Sequence, residues 1–322
     1  MPSHPLSLAH KRVGSAAVTP AAQLVFTHAN GFCKEMWFPT LDDLSRKLPD
    51  HLAYDSLLMD LTGHGGSRDR TNNFPRPLQW EHFTCTDVLE AVDTLPKRSG
   101  GGPRVVGVGH SLGGAGLVYA ELARPGTFDA LILMEPILPP PDERIDGKTD
   151  QRALLAAGAS KRRVLWPTRE EARKSLRSKA LYAAFEERVF NNFVDYGTVE
   201  TAQGCQLQCT GDIEAEIYRG SGRCVWHELH KVNCPVWFLC GANTFHMEAW
   251  GKGSSVAVFR ALSEKFPRST FELLPNLAHF APFEDPTRYA EILAGALVNV
   301  WNVPKREETG QASSAVTIPS SL

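Results

Sequence analysis

The chain has 322 residues and a formal net charge of -2, from 34 Lys plus Arg against 36 Asp plus Glu. Its apolar fraction of 43% and charged fraction of 22% are ordinary for a globular protein. The nearly balanced charge supplies no basic field for nucleic acid or an anionic membrane, so neither is expected as a partner. Because the sequence contains no run of about 18 apolar residues, it also predicts no membrane span.

Seven cysteines, an odd number, are spread over the chain. The first twenty residues contain no continuous apolar segment of the kind that directs secretion, so we expect free thiols in a reducing compartment, the cytoplasm. The spacings of Cys205, Cys209, Cys224 and Cys234 match no familiar zinc module. The sequence therefore predicts no metal site and indicates that the cysteines are packing residues.

The first half of the chain alternates short apolar runs with helical segments. Strands are predicted over residues 24–26, 57–59, 105–108 and 130–134, and the small and apolar residues at 112–122 predict a helix. This alternation is typical of a mostly parallel sheet flanked by helices, so the predicted fold class is α/β.

The pattern changes at Pro136, because this proline and the three that occupy 139–141 exclude both a helix and a central strand. The following stretch is helical in character and rich in Arg and aromatic residues, and Thr168 begins a capping-box signature. The resulting domain prediction is a core at 20–138 and 232–303, a helical cap at 139–231, an N-terminal extension at 1–19 and a disordered tail at 304–322.

The second part of the core, at 232–303, is predicted to contain two strands and a helix. Strands are predicted again at 235–240 and 270–274, and a helix over 286–300 closes the core. Any side chain that follows one of these strands is brought to the same edge of a parallel sheet as the side chains that follow the earlier ones.

Ser111 stands in the pentapeptide GHSLG, between a predicted strand and a predicted helix. Glycine at both ends of the motif lets the backbone turn sharply and present the serine at the end of the strand. The amides at the start of the helix are suited to stabilise a developing negative charge. This setting predicts a nucleophilic Ser111, and the competing interpretation is a serine that only caps the helix.

A nucleophilic serine needs a base, and His279 is the leading candidate among the 11 histidines. It follows the strand predicted at 270–274, so it should reach the same sheet edge as Ser111. The alternative is a surface histidine. His28, His64 and His110 are expected to be structural residues of loops rather than catalysts.

Two carboxylates compete to orient His279. Glu135 comes directly after the apolar run at 130–134, where a carboxylate without a partner would be costly and His279 would supply one. Glu248 is the carboxylate near the end of the strand predicted at 235–240. We favour Glu135 and keep Glu248 as the alternative, beside the possibility that Glu135 only ends a strand at the surface.

An oxyanion formed by attack of Ser111 needs backbone N–H donors. One donor is expected from Leu112, the residue after the serine. The second is expected from the loop that follows the first predicted strand, with Phe32 as the candidate and Asn30 as the alternative register.

Four motifs in order, HANGF, DLTGHGGS, GHSLGG and AHFAPFEDP, resemble those of the α/β-hydrolase superfamily over about residues 20–302. The resemblance implies the α/β-hydrolase fold and a serine hydrolase that cleaves an ester, lactone or thioester of a small, largely apolar molecule without a cofactor. In many members the acid follows the next-to-last strand, where this chain has Thr244. The segment LILMEPI is similar to a branch whose acid follows the strand after the nucleophile, which agrees with Glu135.

The insertion is similar to that of bacterial and fungal hydrolases that include fungal toxin-biosynthesis and peroxisomal lipase-like proteins. By this resemblance Trp166, Phe185 and Phe190 are candidates for an apolar substrate pocket, with ordinary helix packing as the alternative. Two other functions stay open. One is hydrolysis of a carbon–carbon bond in a diketone, and the other is non-catalytic ligand binding on a hydrolase fold.

The last three residues, Ser320-Ser321-Leu322, resemble a peroxisomal targeting signal of the Ser-Lys-Leu type. The middle residue lacks the basic side chain of that signal. A peroxisomal location is therefore the alternative to the cytoplasmic one.

Overall fold

The structure is a computed structural model. It describes residues 4–96, 103–141, 151–220, 222–244 and 254–302. The alternative acid Glu248, the tail at 304–322 and the C-terminal tripeptide within it lie outside these ranges. The predictions that concern them therefore stay predictions.

A seven-stranded sheet forms the centre of the core. Its strands are β1 (Leu8–Gly14), β2 (Ala22–Thr27), β3 (Ala53–Met59), β4 (Arg104–His110), β5 (Ala130–Met134), β9 (Val236–Gly241) and β10 (Ser269–Leu274). They are ordered β1-β3-β2-β4-β5-β9-β10, and every neighbouring pair is parallel except the edge pair β1 and β3. The predicted α/β class with a mostly parallel sheet is confirmed.

Strand β1 lies inside the stretch that was expected to be an N-terminal extension. It pairs along its whole length with β3, from Leu8 opposite Met59 to Gly14 opposite Ala53. The expected boundary at residue 20 is therefore corrected, because the sheet begins at residue 8. The sequence LAHKRVG does not signal a strand strongly, since this edge strand is only half-buried and three consecutive polar residues, at 10–12, interrupt its apolar pattern.

Helices cover both faces of the sheet. They are α1 (Phe38–Lys47), α2 (Trp80–Asp93), α3 (Leu112–Ala123), α9 (Ser255–Ser263), α10 (Ala281–Glu284) and α11 (Pro286–Asn302). Successive residues of a strand point to opposite faces of the sheet. Leu24 and Phe26 therefore pack with α1 and α11 on one face, whereas Val25 packs with α2, α3 and α9 on the other. Within the described ranges, no helix combines the length and apolar character that crossing a bilayer requires.

The segment between β5 and β9 contains the elements of the expected cap. Its helices are α4 (Gln151–Ser160), α5 (Arg169–Arg177), α6 (Ala180–Ala183), α7 (Glu187–Tyr196) and α8 (Gly211–Gly220), and its strands are β6 (Leu165–Trp166), β7 (Thr198–Thr201) and β8 (Gly204–Leu207). The three strands form a separate antiparallel sheet, which the prediction of a helical insertion missed. Thr168 caps α5 as predicted, since the Glu171 amide donates to Thr168 Oγ1 at 3.2 Å, which is one of the two hydrogen bonds of a capping box.

Candidate active site

The parallel strands of the core all end at one edge of the sheet, and the candidate residues lie there. Ser111 follows β4, Glu135 follows β5 and His279 lies in the loop between β10 and α10. Open parallel sheets bind ligands at this edge, outside the carboxyl ends of their strands. The fold therefore brings together three residues that are far apart in the sequence.

Ser111 occupies a sharp turn between β4 and α3. Its backbone has φ 55° and ψ -119°, a strained conformation for a side chain other than glycine. The turn is held by the Ser111 amide, which donates to the carbonyl of Met134 at 3.0 Å. The serine side chain makes no capping hydrogen bond to α3. The geometry therefore does not support the interpretation of Ser111 as a simple helix cap.

Two glycines make this turn possible. A Cβ on Gly109 would lie 2.7 Å from the Cα of Gly114, and a Cβ on Gly113 would lie 2.6 Å from the carbonyl oxygen of His28. Both obstacles are backbone atoms, which cannot move aside as a flexible side chain can. The pentapeptide needs glycine at these positions because α3 starts in close contact with the end of β2.

His279 faces Ser111. Its Nε2 lies 3.1 Å from Ser111 Oγ, and its backbone carbonyl accepts a hydrogen bond from His110 Nε2 at 2.8 Å. His110 thus holds the loop of His279, in agreement with the structural role predicted for it. Burial lowers the pKa of His279, so the ring is neutral near pH 7 and its Nε2 is able to accept a proton.

Glu135 completes the arrangement. One of its oxygens, Oε2, lies 2.7 Å from His279 Nδ1, and the residue is 0% exposed. The Gly241 amide donates to Oε1 at 2.8 Å and the Thr244 hydroxyl donates to Oε2 at 2.7 Å. These hydrogen bonds offset the cost of burying the carboxylate. Glu135 itself has φ 43°, which turns its side chain back toward the sheet edge.

Thr244 contacts the site in a way that the sequence did not predict. Thr244 stands where an acid follows the next-to-last strand in many α/β hydrolases, and here its hydroxyl binds the carboxylate of Glu135. Thr244 thus contacts the site, whereas the carboxylate is that of Glu135, directly after β5. The other candidate acid, Glu248, is outside the described residues.

The loop after β2 supplies the second side of the candidate oxyanion site. Ala29 and Asn30 line a cavity together with Ser111 and Leu112. Phe32 instead packs its ring against aromatic side chains outside this cavity, among them those of Phe185, Phe193 and Phe283. Asn30 lines the cavity and Phe32 does not, and both registers stay predictions for the second backbone donor.

The cavity beside Ser111 has a volume of about 80 Å³. Its walls come from both the core and the segment between β5 and β9. The other lining side chains are Trp80, Ile137, Arg152, Leu155, Ile217, Tyr218, His279 and Phe280. Most of these side chains are apolar, and the polar ones are few, as is usual in a small-molecule site.

The three aromatic residues predicted for the substrate pocket are placed elsewhere. Trp166, Phe185 and Phe190 are buried in a hydrophobic cluster that the cap shares with residues of the core such as Phe32 and Phe283, and they do not line the cavity. This prediction is corrected, because a sequence rich in aromatics does not show which helix faces which side. Ile217 and Tyr218 were missed for the same reason. The spacing of Ile213 and Ile217, four residues apart, indicates one buried face of α8. It does not indicate that this face is directed toward Ser111.

Of the cysteines, Cys240 lies beside Glu135, and burial together with this carboxylate raises the pKa of its thiol. Cys33, Cys85, Cys205, Cys209, Cys234 and Cys240 are buried as free thiols, and Cys224 is half-buried. Among the residues that the structure describes, no group of three or more His, Cys, Asp or Glu side chains is placed to hold a metal ion.

The sheet order, the serine on a sharp turn after β4 and the histidine after β10 define a protein of the α/β-hydrolase class. The model of the alpha/beta hydrolase family matches residues 24–292, and the chain belongs to this family. It is 25% identical over 244 residues to the abhydrolase domain-containing protein AKT2 of Alternaria alternata, covering 64% of this chain and 89% of that protein.

Two further likenesses are of different kinds. Human monoglyceride lipase is 31% identical over 125 residues, which cover 37% of this chain and 36% of the lipase. The peroxisomal alpha-beta-hydrolase Lpx1 of Saccharomyces cerevisiae has a TM-score of 0.71 and 17% sequence identity, and the match covers 97% of this chain and 93% of that chain. Membership in the family and the lipase likeness support hydrolase activity, and the likeness to Lpx1 shows the shared fold.

Proposed function

We propose that the protein is a serine hydrolase that cleaves an ester, lactone or thioester of a small, largely apolar substrate through an acyl-enzyme. The main observation behind this proposal is that His279 contacts Ser111 Oγ through one ring nitrogen and Glu135 through the other. A nucleophile, a base and an orienting acid in this order form the minimum set for nucleophilic acyl transfer.

In the first step His279 removes the proton of Ser111 at Nε2 while Oγ attacks the substrate carbonyl. The imidazole becomes positively charged, and the carboxylate of Glu135 stabilises that charge while it keeps the other proton on Nδ1. His279 then gives its proton to the leaving oxygen or sulfur, and an ester bond remains between the acyl group and Ser111. A water molecule, deprotonated by the same histidine, releases the acid product.

The negative charge on the carbonyl oxygen needs donors that are already in place. We assign this role to the backbone amides of Leu112 and Asn30, because both residues line the cavity together with Ser111. Leu112 is the first residue of α3, so the positive end of the helix dipole adds to the stabilisation. Removal of one such donor typically costs about 10²- to 10³-fold in kcat.

The apolar walls of the cavity support an apolar acyl or alcohol group. Trp80, Ile217 and Phe280 face the same space as Ser111, and Arg152 is the charged residue among the described lining side chains. The likeness to a monoglyceride lipase over 125 residues agrees with an oxygen ester as substrate. The volume of about 80 Å³ favours short acyl groups over long chains.

Two alternatives use the same site. Hydrolysis of a carbon–carbon bond in a diketone needs the same serine and histidine, and analysis of the products distinguishes it from ester cleavage. Non-catalytic binding was suggested by the missing acid at Thr244. The contact of Glu135 with His279 removes that reason, since the orienting carboxylate comes from another strand.

The central experiment is active-site labelling with a fluorophosphonate probe. We expect the wild type to be labelled and to cleave p-nitrophenyl esters of short acids, and Ser111→Ala to lose labelling and at least about 10⁴-fold in kcat. Ser178→Ala, a change at an exposed cap serine, should match the wild type. A correctly folded wild type that neither reacts with the probe nor cleaves any ester would overturn the proposal.

A further inference from the structure

His279 lies in a loop between β10 and α10 that consists of turns and irregular backbone at residues 275–280. Its ring has two partners at fixed distances, Ser111 Oγ at 3.1 Å and Glu135 Oε2 at 2.7 Å. Connecting loops are more mobile than the strands and helices that they join. The main chain of this loop therefore needs contacts of its own to hold the ring in line between its two partners.

Two hydrogen bonds hold the main chain around His279. Its carbonyl oxygen accepts from His110 Nε2 at 2.8 Å, which fixes the chain from the end of β4. One residue earlier, the amide of Ala278 donates to Glu284 Oε2 at 3.0 Å. Glu284 is the last residue of α10, so its carboxylate reaches back to the loop that precedes its own helix. The chain is thus held both at His279 and directly before it.

The turn of helix that carries Glu284 is firmly attached to the core. The Glu284 amide donates to the Phe280 carbonyl at 2.9 Å, and the Phe283 amide donates to the same carbonyl at 2.7 Å. The ring of Phe283 is buried and packs edge-on against Phe32 and Trp37, at centroid distances of 5.5 and 5.7 Å. The carboxylate of Glu284 therefore extends from a fixed backbone.

The surroundings of Glu284 favour its contact with the loop. The residue is half-buried, and burial raises the pKa of its carboxyl against the effect of the hydrogen bond from the Ala278 amide. A hydrogen bond in a partly dry environment is electrostatically stronger than the same bond in water. An oxygen of the group is able to accept this bond whether the carboxyl is ionised or protonated. The contact thus depends on the oxygen acceptor and not on the charge.

We propose that Glu284 is a positioning residue, which holds the main chain before His279 and thereby keeps Nε2 of the ring within reach of Ser111. This inference rests on the proposed serine mechanism and adds a second acidic side chain that serves the base. Glu135 orients the ring through Nδ1, whereas Glu284 acts on the backbone that carries the ring. A displacement of about 1 Å at the reacting atoms costs about 10²-fold in rate, so a loop held on one side only would slow the reaction.

The test compares Glu284→Ala, which removes the acceptor, with Glu284→Gln, which keeps one. For Glu284→Ala we expect kcat for a short p-nitrophenyl ester to fall about 10- to 100-fold with KM nearly unchanged, because the base is displaced and Glu284 does not line the cavity. The rate of labelling by the fluorophosphonate probe should fall by the same factor, since His279 also activates Ser111 in that reaction. Glu284→Gln should stay within about threefold of the wild type in both measurements, since its side-chain oxygen accepts the Ala278 amide.

Asp285→Ala is the matched control, because Asp285 is the neighbouring half-buried carboxylate and has a different partner. Its Oδ1 accepts from the Arg288 amide at 2.9 Å, so it caps the start of α11 instead of holding the loop. We expect this variant to unfold at a lower urea concentration than the wild type and to keep its kcat. Glu284→Met, which keeps the length of the side chain without an oxygen, should match Glu284→Ala in kcat and replaces it if the alanine variant does not fold.

Three results would overturn the inference. One is a wild-type kcat, or a change in KM alone, in folded Glu284→Ala or Glu284→Met. The second is a Glu284→Gln enzyme that is as slow as these two variants, which would show that the charge matters and not the hydrogen bond. The third is an equal loss of kcat in Asp285→Ala, which would show that any weakening of this region slows the enzyme. A wild type without probe labelling or esterase activity would instead refute the proposed function, so the two failures are distinguishable.

Discussion

At the scale of single residues, Glu135 shows most clearly how local structure serves the proposed chemistry. It is fully buried and accepts hydrogen bonds from the Gly241 amide and the Thr244 hydroxyl, and it touches His279 at 2.7 Å. A carboxylate fixed by these donors holds the imidazole in the one tautomer that leaves Nε2 free to act as base.

Replacing Glu135 by Gln should therefore abolish most of the activity without disturbing the fold. The amide is nearly the same size but has no charge, and it can hold His279 in the wrong tautomer. We expect kcat for a p-nitrophenyl ester to fall about 10⁴-fold, the cost known for removing the charge of an orienting acid. Steady-state kinetics with a far-ultraviolet dichroism spectrum of the variant provide the measurement.

Two further variants make this prediction specific. Thr244→Val removes one donor to Glu135 and should lower kcat by about tenfold or less, since the carboxylate keeps its other partners. Glu248→Gln should have wild-type activity. If Glu248→Gln were inactive and Glu135→Gln were active, the assignment of the acid would be wrong.

The site was predictable where chemistry imposes a sequence pattern. Ser111 and His279 stand in motifs that follow strands, and Glu135 follows an apolar run in which a charge requires a partner. The pocket residues were not predictable in this way, because Trp166 and Tyr218 are both aromatic residues of the cap and only the packing of the cap decides which one meets the cavity. Thr244 carries no signal by itself, since a hydroxyl that binds a carboxylate is indistinguishable in sequence from one that binds water.

At the scale of elements, the turn between β4 and α3 depends on how closely α3 approaches β2. A Cβ at Gly113 would lie 2.6 Å from the His28 carbonyl oxygen and 2.7 Å from the carbonyl carbon of Thr27. We expect Gly113→Ala to lower the free energy of unfolding by about 1–3 kcal/mol, since the backbone has to shift to admit the methyl group. Denaturant titration followed by circular dichroism measures this loss.

Gly295 in α11 is the matched control for Gly113. A Cβ there meets no atom within 4 Å, so Gly295→Ala should raise the free energy of unfolding by about 0.5–1 kcal/mol through helix propensity alone. Equal effects of the two substitutions would mean that the close contact at Gly113 relaxes without cost.

Most strands of the central sheet were predicted from the sequence. The strands β2, β4, β5 and β9 are short, nearly continuous apolar runs, which are typical of parallel strands buried on both faces, and the half-exposed β10 was predicted as well. The edge strand β1 and the two- to four-residue strands of the cap were missed. They are short or half-exposed, so their hydrophobic patterns are too weak to distinguish them from loops.

At the scale of the whole molecule, a cluster of charged groups links the cap to the core. Arg188 of α7 donates two hydrogen bonds of 2.9 Å to the carboxylate of Asp43 in α1, and Thr287 of α11 donates to the same carboxylate at 2.5 Å. A second link is the Glu186 amide, which donates to the Phe283 carbonyl at 2.9 Å. The carboxylate of Asp43 thus connects α1 and α11 of the core with α7 of the cap. The chain itself passes between core and cap only twice.

This link makes the stability of the assembled molecule depend on pH. Mainly through the hydrogen bonds from Arg188, the folded protein lowers the pKa of Asp43 from 3.8 to about 2. Because the folded value lies below the unfolded one, the stabilisation is complete above about pH 4 and is lost as the pH falls toward 2. The whole contribution is at most about 2.5 kcal/mol, since one pKa unit corresponds to about 1.4 kcal/mol.

Asp43→Asn should therefore be less stable than the wild type at pH 6, and the difference between the two should shrink as the pH falls from 4 to 2. Asp42→Asn, a change at the neighbouring exposed carboxylate, which pairs only with Lys11 among the described contacts, should leave the pH dependence of the wild type unchanged. Urea titrations at pH 6, 4, 3 and about 2 measure the free energies of unfolding. A difference between Asp43→Asn and the wild type that stays constant over this range would show that Asp43 stabilises the docked cap by its shape and hydrogen bonds alone, and not by its charge.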